Sequence, residues 1–153
     1  MAEMKARRDV RIDHLREVLL FEGCTDDQLR DIAQSADEIA VPAGYVLVYE
    51  GDWGHEVFVV ADGSARVTAG GRTLAELGPG SVIGELAVLN PAPRTATVTA
   101  STSMRFFVFD QDSFETLLDK HTLVARRTMT EVAGRFQQQT ADLVDADKSS
   151  PTT

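Results

Sequence analysis

Two charged residues stand alone in a long uncharged stretch of this sequence. Between Leu77 and Met104 the only acidic residue is Glu85 and the only basic residue is Arg94. An isolated charge is costly to bury without a partner. The two side chains are therefore expected either to pair with each other or to be held for a ligand.

The local sequence favours a ligand site. Gly84 permits close approach of the backbone, and residues 85–88 are predicted to begin a short helix whose free N–H groups attract an anion. Arg94 follows the stiff segment Pro91–Pro93, and a guanidinium beside a helix N-terminus makes a phosphate site. Glu85 would repel a phosphate but suits a donor such as a sugar hydroxyl. The pattern predicts a site for a nucleotide with one negative charge.

Length and composition indicate one soluble domain. The chain has 153 residues, a net charge of -9, 43% hydrophobic and 25% charged residues. Cys24 is the only cysteine, which excludes an internal disulfide and a cysteine metal site. The three histidines are far apart, so no metal site or metal-dependent enzyme is expected. No nucleophile and base are grouped for catalysis either.

The net charge, the apolar runs and the first eight residues limit the binding partners and the location of the protein. An acidic chain is repelled on average by nucleic acid and by anionic membranes. No run approaches 18 apolar residues, so no membrane span is predicted. The first eight residues are charged and lack the apolar centre of a secretory signal. We expect a cytoplasmic protein that binds neither nucleic acid nor membrane.

Three kinds of patterning follow one another along the chain. Apolar residues at helical spacing come first, with a capping box at Thr25-Asp26-Asp27-Gln28. Short apolar runs separated by glycine-containing turns follow and predict strands. The runs are Ile39–Val41, Tyr45–Tyr49, Val57–Val60, Ala65–Val67, Thr95–Thr99 and Phe106–Phe109. Asp110 then caps a short helix, and a long helix carries an apolar seam at Ala125, Met129, Val132, Phe136 and Leu143.

This order predicts a mainly β fold with flanking helices. We expect a jelly-roll-like antiparallel β-barrel over residues 38–109, preceded by helices in 10–36 and followed by helices in 111–145. Residues 1–9 and 146–153 are predicted to be an N-terminal tail and a disordered C-terminal tail.

The segment around the two charges resembles a known motif. The run Gly84-Glu85-Leu86-Ala87, then Pro93-Arg94-Thr95-Ala96-Thr97-Val98, is similar to the phosphate-binding cassette of the cyclic-nucleotide-binding domain family, which would occupy residues 80–98 here. That family includes regulatory subunits of cyclic-AMP-dependent kinase, cyclic-nucleotide-gated channels and catabolite activator proteins. Val41 to Leu47, Glu50-Gly51-Asp52 and Val57 to Gly63 extend the resemblance, which covers roughly residues 10–145.

The resemblance implies a role for each matching residue. Arg94 would bind the exocyclic oxygens of the cyclic phosphate, and Glu85 the ribose 2′-hydroxyl. The phosphate cradle would be completed by backbone N–H groups around Leu86, Ala87 and Ala96, with Ile83 and Gly84 lining the sugar–phosphate pocket. Further candidates for contact with the base are Val67, Val82, Arg135, Gln139 and Thr140. Gln139 is equally well explained as a polar interruption that sets the register of the seam.

Thr95 bears on the base without deciding it. In cyclic-GMP-dependent kinases a threonine here is associated with guanine recognition, whereas in bacterial relatives it mainly touches phosphate. We expect cyclic AMP to be favoured over cyclic GMP.

Three classes of function are therefore weighed. The first is a regulatory receptor in which the C-terminal helix moves over the base and passes the signal to an effector protein. The second is a degenerate, ligandless interaction domain that forms a homodimer through that helix, and the third is an enzyme, which we do not expect. The sequence ends soon after the helix, without room for a helix-turn-helix, so we expect a stand-alone receptor or a fragment of a larger protein.

Overall fold

Two four-stranded antiparallel sheets form the centre of the described chain. The computed structural model describes residues 12–84 and 92–134. The strands are β1 (Asp37–Val41), β2 (Val46–Val48), β3 (Glu56–Asp62), β4 (Ala65–Ala69), β5 (Arg72–Leu77), β6 (Val82–Ile83), β7 (Thr97–Ala100) and β8 (Met104–Asp110). The first sheet has the order β1-β8-β3-β6, and the second has the order β2-β7-β4-β5.

Alternating side chains of the first sheet build two separate cores. In β3, Val57 and Val59 are buried against the helices, while Phe58 and Val60 are buried between the two sheets. Successive side chains of a strand point to opposite faces, so a strand covered on both faces is a continuous apolar run. The predicted mainly β, jelly-roll-like antiparallel fold with flanking helices is confirmed.

Helices lie before and after the sheets. Residues 12–16 form α1 and residues 122–134 form α4. Between α1 and the sheets come a short 3-10 helix (Leu19–Phe21) and α2 (Asp26–Ser35), and α3 (Gln111–Lys120) follows β8. The predicted capping box starts α2: Thr25 Oγ1 accepts a hydrogen bond from Gln28 N at 3.2 Å, and Thr25 N donates to Gln28 Oε1 at 2.8 Å.

Asp110 caps α3 as predicted, and this cap has a pH dependence. Its carboxylate accepts hydrogen bonds from Ser113 N at 2.8 Å and from Ser113 Oγ at 2.9 Å. The backbone bond first and the hydroxyl bond second lower the pKa of the Asp110 carboxyl from its ordinary value of 3.8. A carboxyl with a lowered folded-state pKa stabilises the fold above its unfolded pKa, and that stabilisation is lost as the pH falls through the folded value.

We therefore expect Asp110→Asn to change the acid limb of the stability curve. Asparagine caps helices about as well as aspartate, so the melting temperatures should nearly agree at neutral pH. Between about pH 4 and about pH 2, the melting temperature of the wild type should fall further than that of the variant. The wild-type cap is a carboxyl that becomes protonated in this range, whereas asparagine does not titrate. Melting followed by circular dichroism measures both slopes, and equal slopes would contradict the role of the Asp110 charge.

The helix α4 packs on the domain through residues that lie beside the predicted seam. Val124 and Thr128 are buried, whereas the seam residue Met129 is 56% exposed. The Thr128 hydroxyl donates to the Val124 carbonyl at 2.9 Å. This bond satisfies the hydroxyl inside the helix and so permits its burial. Of the other seam residues, Ala125 and Val132 are half-buried, and Phe136 and Leu143 lie outside the described residues.

Arg127 fastens α4 to the segment that precedes α2. Its Nη1 donates to the carbonyl oxygens of Leu19 at 3.1 Å and Leu20 at 3.4 Å, and to that of Glu22. The Leu19 carbonyl also accepts from Glu22 N at 3.2 Å; a carbonyl oxygen has two lone pairs, so it can accept from a guanidinium as well. Burial raises the pKa of the neighbouring Cys24 thiol, and the charge of Arg127 partly opposes that rise.

Candidate functional site

The backbone of Arg94 is held by the turn that connects β2 to β3. Arg94 N donates to the carbonyl of Asp52, and Gly51 N donates to the carbonyl of Arg94, both at 2.8 Å. One step closer to the sheet, Glu50 N donates to Thr97 Oγ1 at 2.9 Å. These bonds continue the pairing of β2 with β7 beyond the strands and leave Arg94 little freedom of position.

The side chain of Arg94 lies against the backbone at the start of β3. Its Nη2 donates to the Glu56 carbonyl at 2.8 Å, and the residue is half-buried. Two glycines border the guanidinium. A Cβ placed on Gly54 would lie 2.5 Å from Arg94 Nε and 2.8 Å from Cζ, and one placed on Gly84 would overlap Nη1. The guanidinium therefore fits where it is because both positions lack a side chain.

Gly84 is needed for its backbone as well as for space. Its φ is +89°, which is in the left-handed region that L-residues with a side chain rarely adopt. A Cβ at this position would also lie 2.7 Å from the Glu56 carbonyl oxygen. The end of β6 and the start of β3 thus approach each other closely beside Arg94.

The structure places the remaining predicted residues in different surroundings. Ile83 is buried between the sheets and pairs with Phe58, and Val67 packs partly buried against the same core. Thr95 is exposed and Ala96 is half-buried. The predicted residues Glu85, Leu86, Ala87, Arg135, Gln139 and Thr140 lie outside the described residues.

Val82, a predicted base contact, lies in a different core from Val67. It is fully buried in the core between the first sheet and the helices, on the face opposite to Ile83. Because its side chain is part of that core, it does not face the interior to which Val67 belongs. We therefore do not assign Val82 to a base wall.

Sequence reasoning missed the contribution of the turn between β2 and β3. The segment Gly51-Asp52-Trp53-Gly54 provides the backbone partners of Arg94 and the space for its guanidinium. The available signal was the presence of two glycines within four residues. The glycine pattern does not show that the space beside Gly54 is taken by the guanidinium of Arg94.

The site is suited to binding an anion. A guanidinium held at a fixed place by backbone contacts is preorganised for a planar, bidentate interaction with phosphate oxygens. Within the two described ranges, no group of three histidine, cysteine or acidic side chains could hold a metal ion. No helix in that part of the chain is long and apolar enough to cross a bilayer.

A comparison with protein families shows which family the chain belongs to. Residues 38–121, more than half of the chain, match the model of the cyclic nucleotide-binding domain. The chain belongs to the cyclic nucleotide-binding domain family. The matched range includes both sheets except Asp37, the first residue of β1, together with α3 and the described contacts of Arg94.

Relatives of this cyclic nucleotide-binding domain include two kinds of kinase protein. It is 34% identical over 97 residues to a cGMP-dependent protein kinase of Drosophila melanogaster, covering 63% of this chain and 9% of the kinase. It is 30% identical over 123 residues to a cAMP-dependent protein kinase regulatory subunit of Hypocrea atroviridis, covering 80% of this chain and 27% of that protein. The chain thus spans well under half the length of these curated relatives.

Solved structures agree with the fold. The structure of cAMP-bound PfPKA-R superposes with a TM-score of 0.78 over 94% of this chain and 50% of that chain, at 23% identity. At that identity the match supports the shared fold of the cyclic nucleotide-binding domain and nothing finer.

Proposed function

We propose that this domain is a receptor for a cyclic nucleotide, with cAMP favoured over cGMP, and that Arg94 binds the cyclic phosphate. The observation that carries the proposal is the placement of Arg94. Its backbone is bound to Asp52 and Gly51, and its guanidinium is bound to the Glu56 carbonyl beside Gly84. A cation fixed in this way loses little side-chain entropy when an anion binds.

The other ligand contacts follow from the motif. Glu85 accepts a hydrogen bond from the ribose 2′-hydroxyl, and the backbone around Leu86, Ala87 and Ala96 completes the phosphate cradle. Ile83 and Gly84 line the sugar–phosphate end. The half-buried Val67, which packs on the same core as Ile83, is the proposed apolar contact for the base, and Arg135, Gln139 and Thr140 are proposed to reach the base from the C-terminal helix.

The proposed output is a movement of the C-terminal helix that changes the surface seen by an effector protein. In the position described, α4 is joined to the segment before α2 by Arg127, and Val124 is buried; a movement would exchange these contacts for others. The energy available for a movement is the difference in nucleotide affinity between the two positions of the helix. We propose no catalytic step, so the cyclic nucleotide should be recovered unchanged after long incubation.

A calorimetric titration with cAMP, cGMP and linear 5′-AMP tests the proposal. We expect one saturable site per chain for a cyclic nucleotide, and weaker binding of 5′-AMP, whose phosphate carries close to two charges at neutral pH. At a hundredfold excess over Kd the ligand should stabilise the fold by about 2.7 kcal/mol. That corresponds to a rise of roughly 5–10 °C in Tm for a chain of this size.

Two further experiments test the ribose contact of Glu85 and the movement of the C-terminal helix. 2′-Deoxy-cAMP should bind more weakly than cAMP if Glu85 accepts from the ribose, and equal affinity would remove that role. Hydrogen exchange of the α4 amides with and without nucleotide tests the movement of the helix. No heat and no change in Tm with any cyclic nucleotide would instead indicate the ligandless interaction domain, for which the concentration dependence of dimerisation is the next measurement.

A further inference from the structure

We infer that Gly54 is a positioning residue for Arg94, because its missing side chain is the space in which the guanidinium lies. The inference rests on the proposed function, in which Arg94 binds the phosphate. The three heavy atoms nearest to a Cβ built on Gly54 are Nη2, Nε and Cζ of Arg94, with Nε at 2.5 Å and Cζ at 2.8 Å. All three belong to one guanidinium.

The backbone of Gly54 does not explain why glycine stands there. Gly54 is absent from the glycines with positive φ, so an alanine can adopt its conformation without strain. Gly84 differs, because its φ is +89° and an added Cβ would meet the Glu56 carbonyl oxygen at 2.7 Å. A change at Gly84 would strain the chain itself, whereas a change at Gly54 acts on the guanidinium.

The expected response to a side chain at position 54 is a displacement of the guanidinium. The guanidinium is the far end of a flexible side chain, so it moves at less cost than a backbone atom would. The bonds of the Arg94 backbone to Asp52 and Gly51 involve no side-chain atom and should remain. The backbone of Arg94 would keep its position, and its guanidinium would lose the orientation in which it faces the phosphate.

Gly78 provides the matched control. It also lacks a positive φ, and a Cβ built on it has no heavy atom within 4 Å. Gly78→Ala therefore makes the same chemical change, with the same loss of freedom in the unfolded chain, at a place where nothing is displaced.

The test is a calorimetric titration with cAMP of wild type, Gly54→Ala, Gly78→Ala, Arg94→Ala and the Gly54→Ala/Arg94→Ala double variant. We expect Gly54→Ala to weaken binding at least tenfold and Gly78→Ala to stay within about twofold of wild type, with unliganded melting temperatures close together in both. In the Arg94→Ala background, Gly54→Ala should cause no further loss, because residues that act through one contact are not additive.

Two results would overturn the inference. Binding by Gly54→Ala equal to that of Gly78→Ala would show that the guanidinium does not need the space. An equal further loss in the Arg94→Ala background would show that Gly54 acts by a route other than Arg94.

An NMR measurement on the unliganded protein tests this inference independently of the proposed function. In nitrogen-15 NMR spectra of the unliganded protein, the Arg94 Nε–H signal should shift in Gly54→Ala and stay in place in Gly78→Ala. If the wild type bound no cyclic nucleotide, the proposed function would fail while this spectrum still decided the role of Gly54. An unmoved signal in Gly54→Ala would refute the role even if the wild type bound cAMP.

Discussion

Arg94→Ala is expected to weaken the binding of cyclic nucleotide by roughly ten- to a hundredfold or more. A charge-assisted hydrogen bond contributes about 1.5–3 kcal/mol, and about 1.4 kcal/mol corresponds to a tenfold change in affinity. Calorimetric titration with cAMP measures the loss directly. An affinity unchanged by this substitution would refute the assignment of the phosphate to Arg94.

Two variants make the result specific. Arg30→Ala removes the same charge from α2, where Arg30 is exposed and forms a surface pair with Asp27 at 2.8 Å. It should leave binding nearly unchanged even though the net charge of the protein changes equally. Arg94→Lys keeps the charge but loses the planar fork, so it should fall between wild type and alanine. A loss of similar size in Arg30→Ala would mean that overall charge, and not a contact, governs binding.

Gly63→Ala is expected to cause the second large effect, a loss of about 2–5 kcal/mol in the free energy of unfolding. Gly63 has φ +83° in the turn between β3 and β4, where a side chain costs about 1–2 kcal/mol. An added Cβ would also lie 2.6 Å from Met104 Cβ and 2.8 Å from Met104 Cα, and would overlap the Ser103 carbonyl oxygen. Overpacking of this kind adds about 1–3 kcal/mol.

Gly70→Ala separates these two contributions. Gly70 also has a positive φ, +57°, but a Cβ built there has no heavy atom within 4 Å. Gly70→Ala should lose only the free energy that a side chain costs at a positive φ. In urea unfolding, Gly63→Ala should therefore lose more stability than Gly70→Ala, by the cost of the overlap of its Cβ with Ser103 and Met104. Equal losses of stability would contradict the close approach of the β3–β4 turn to Ser103 and Met104.

Much of the fold could be predicted because the strands of the first sheet carry a strong pattern. Glu56–Asp62 and Met104–Asp110 contain apolar runs that are buried on both faces. Arg72–Leu77 was not predicted as a strand. It is an edge strand, with its first three residues exposed, so its stability comes from pairing with β4 and not from burial. The burial of Thr128 in α4, with its hydroxyl bonded inside the helix, could not be predicted from a count of apolar residues.

The site could be predicted at Arg94 but not at its supports. A lone arginine in an uncharged segment is visible in the sequence. Its described supports include the carbonyls of Asp52 and Glu56, and its guanidinium lies where a side chain at position 54 would be. Every residue has a backbone carbonyl, and glycine has no side chain whose type could indicate a role. These supports can therefore be identified only from the folded structure.

The core between the first sheet and the helices also sets an order of events during synthesis. Leu15 and Val124 belong to this one core, and Arg127 reaches the Leu19 carbonyl across 108 residues of sequence. A ribosome adds about 5–20 residues per second, so the apolar face of α1 leaves the exit tunnel roughly 5–20 s before α4 does. In this interval the nascent N-terminal helices can be covered only in part, by α2 and the first strands of the same core.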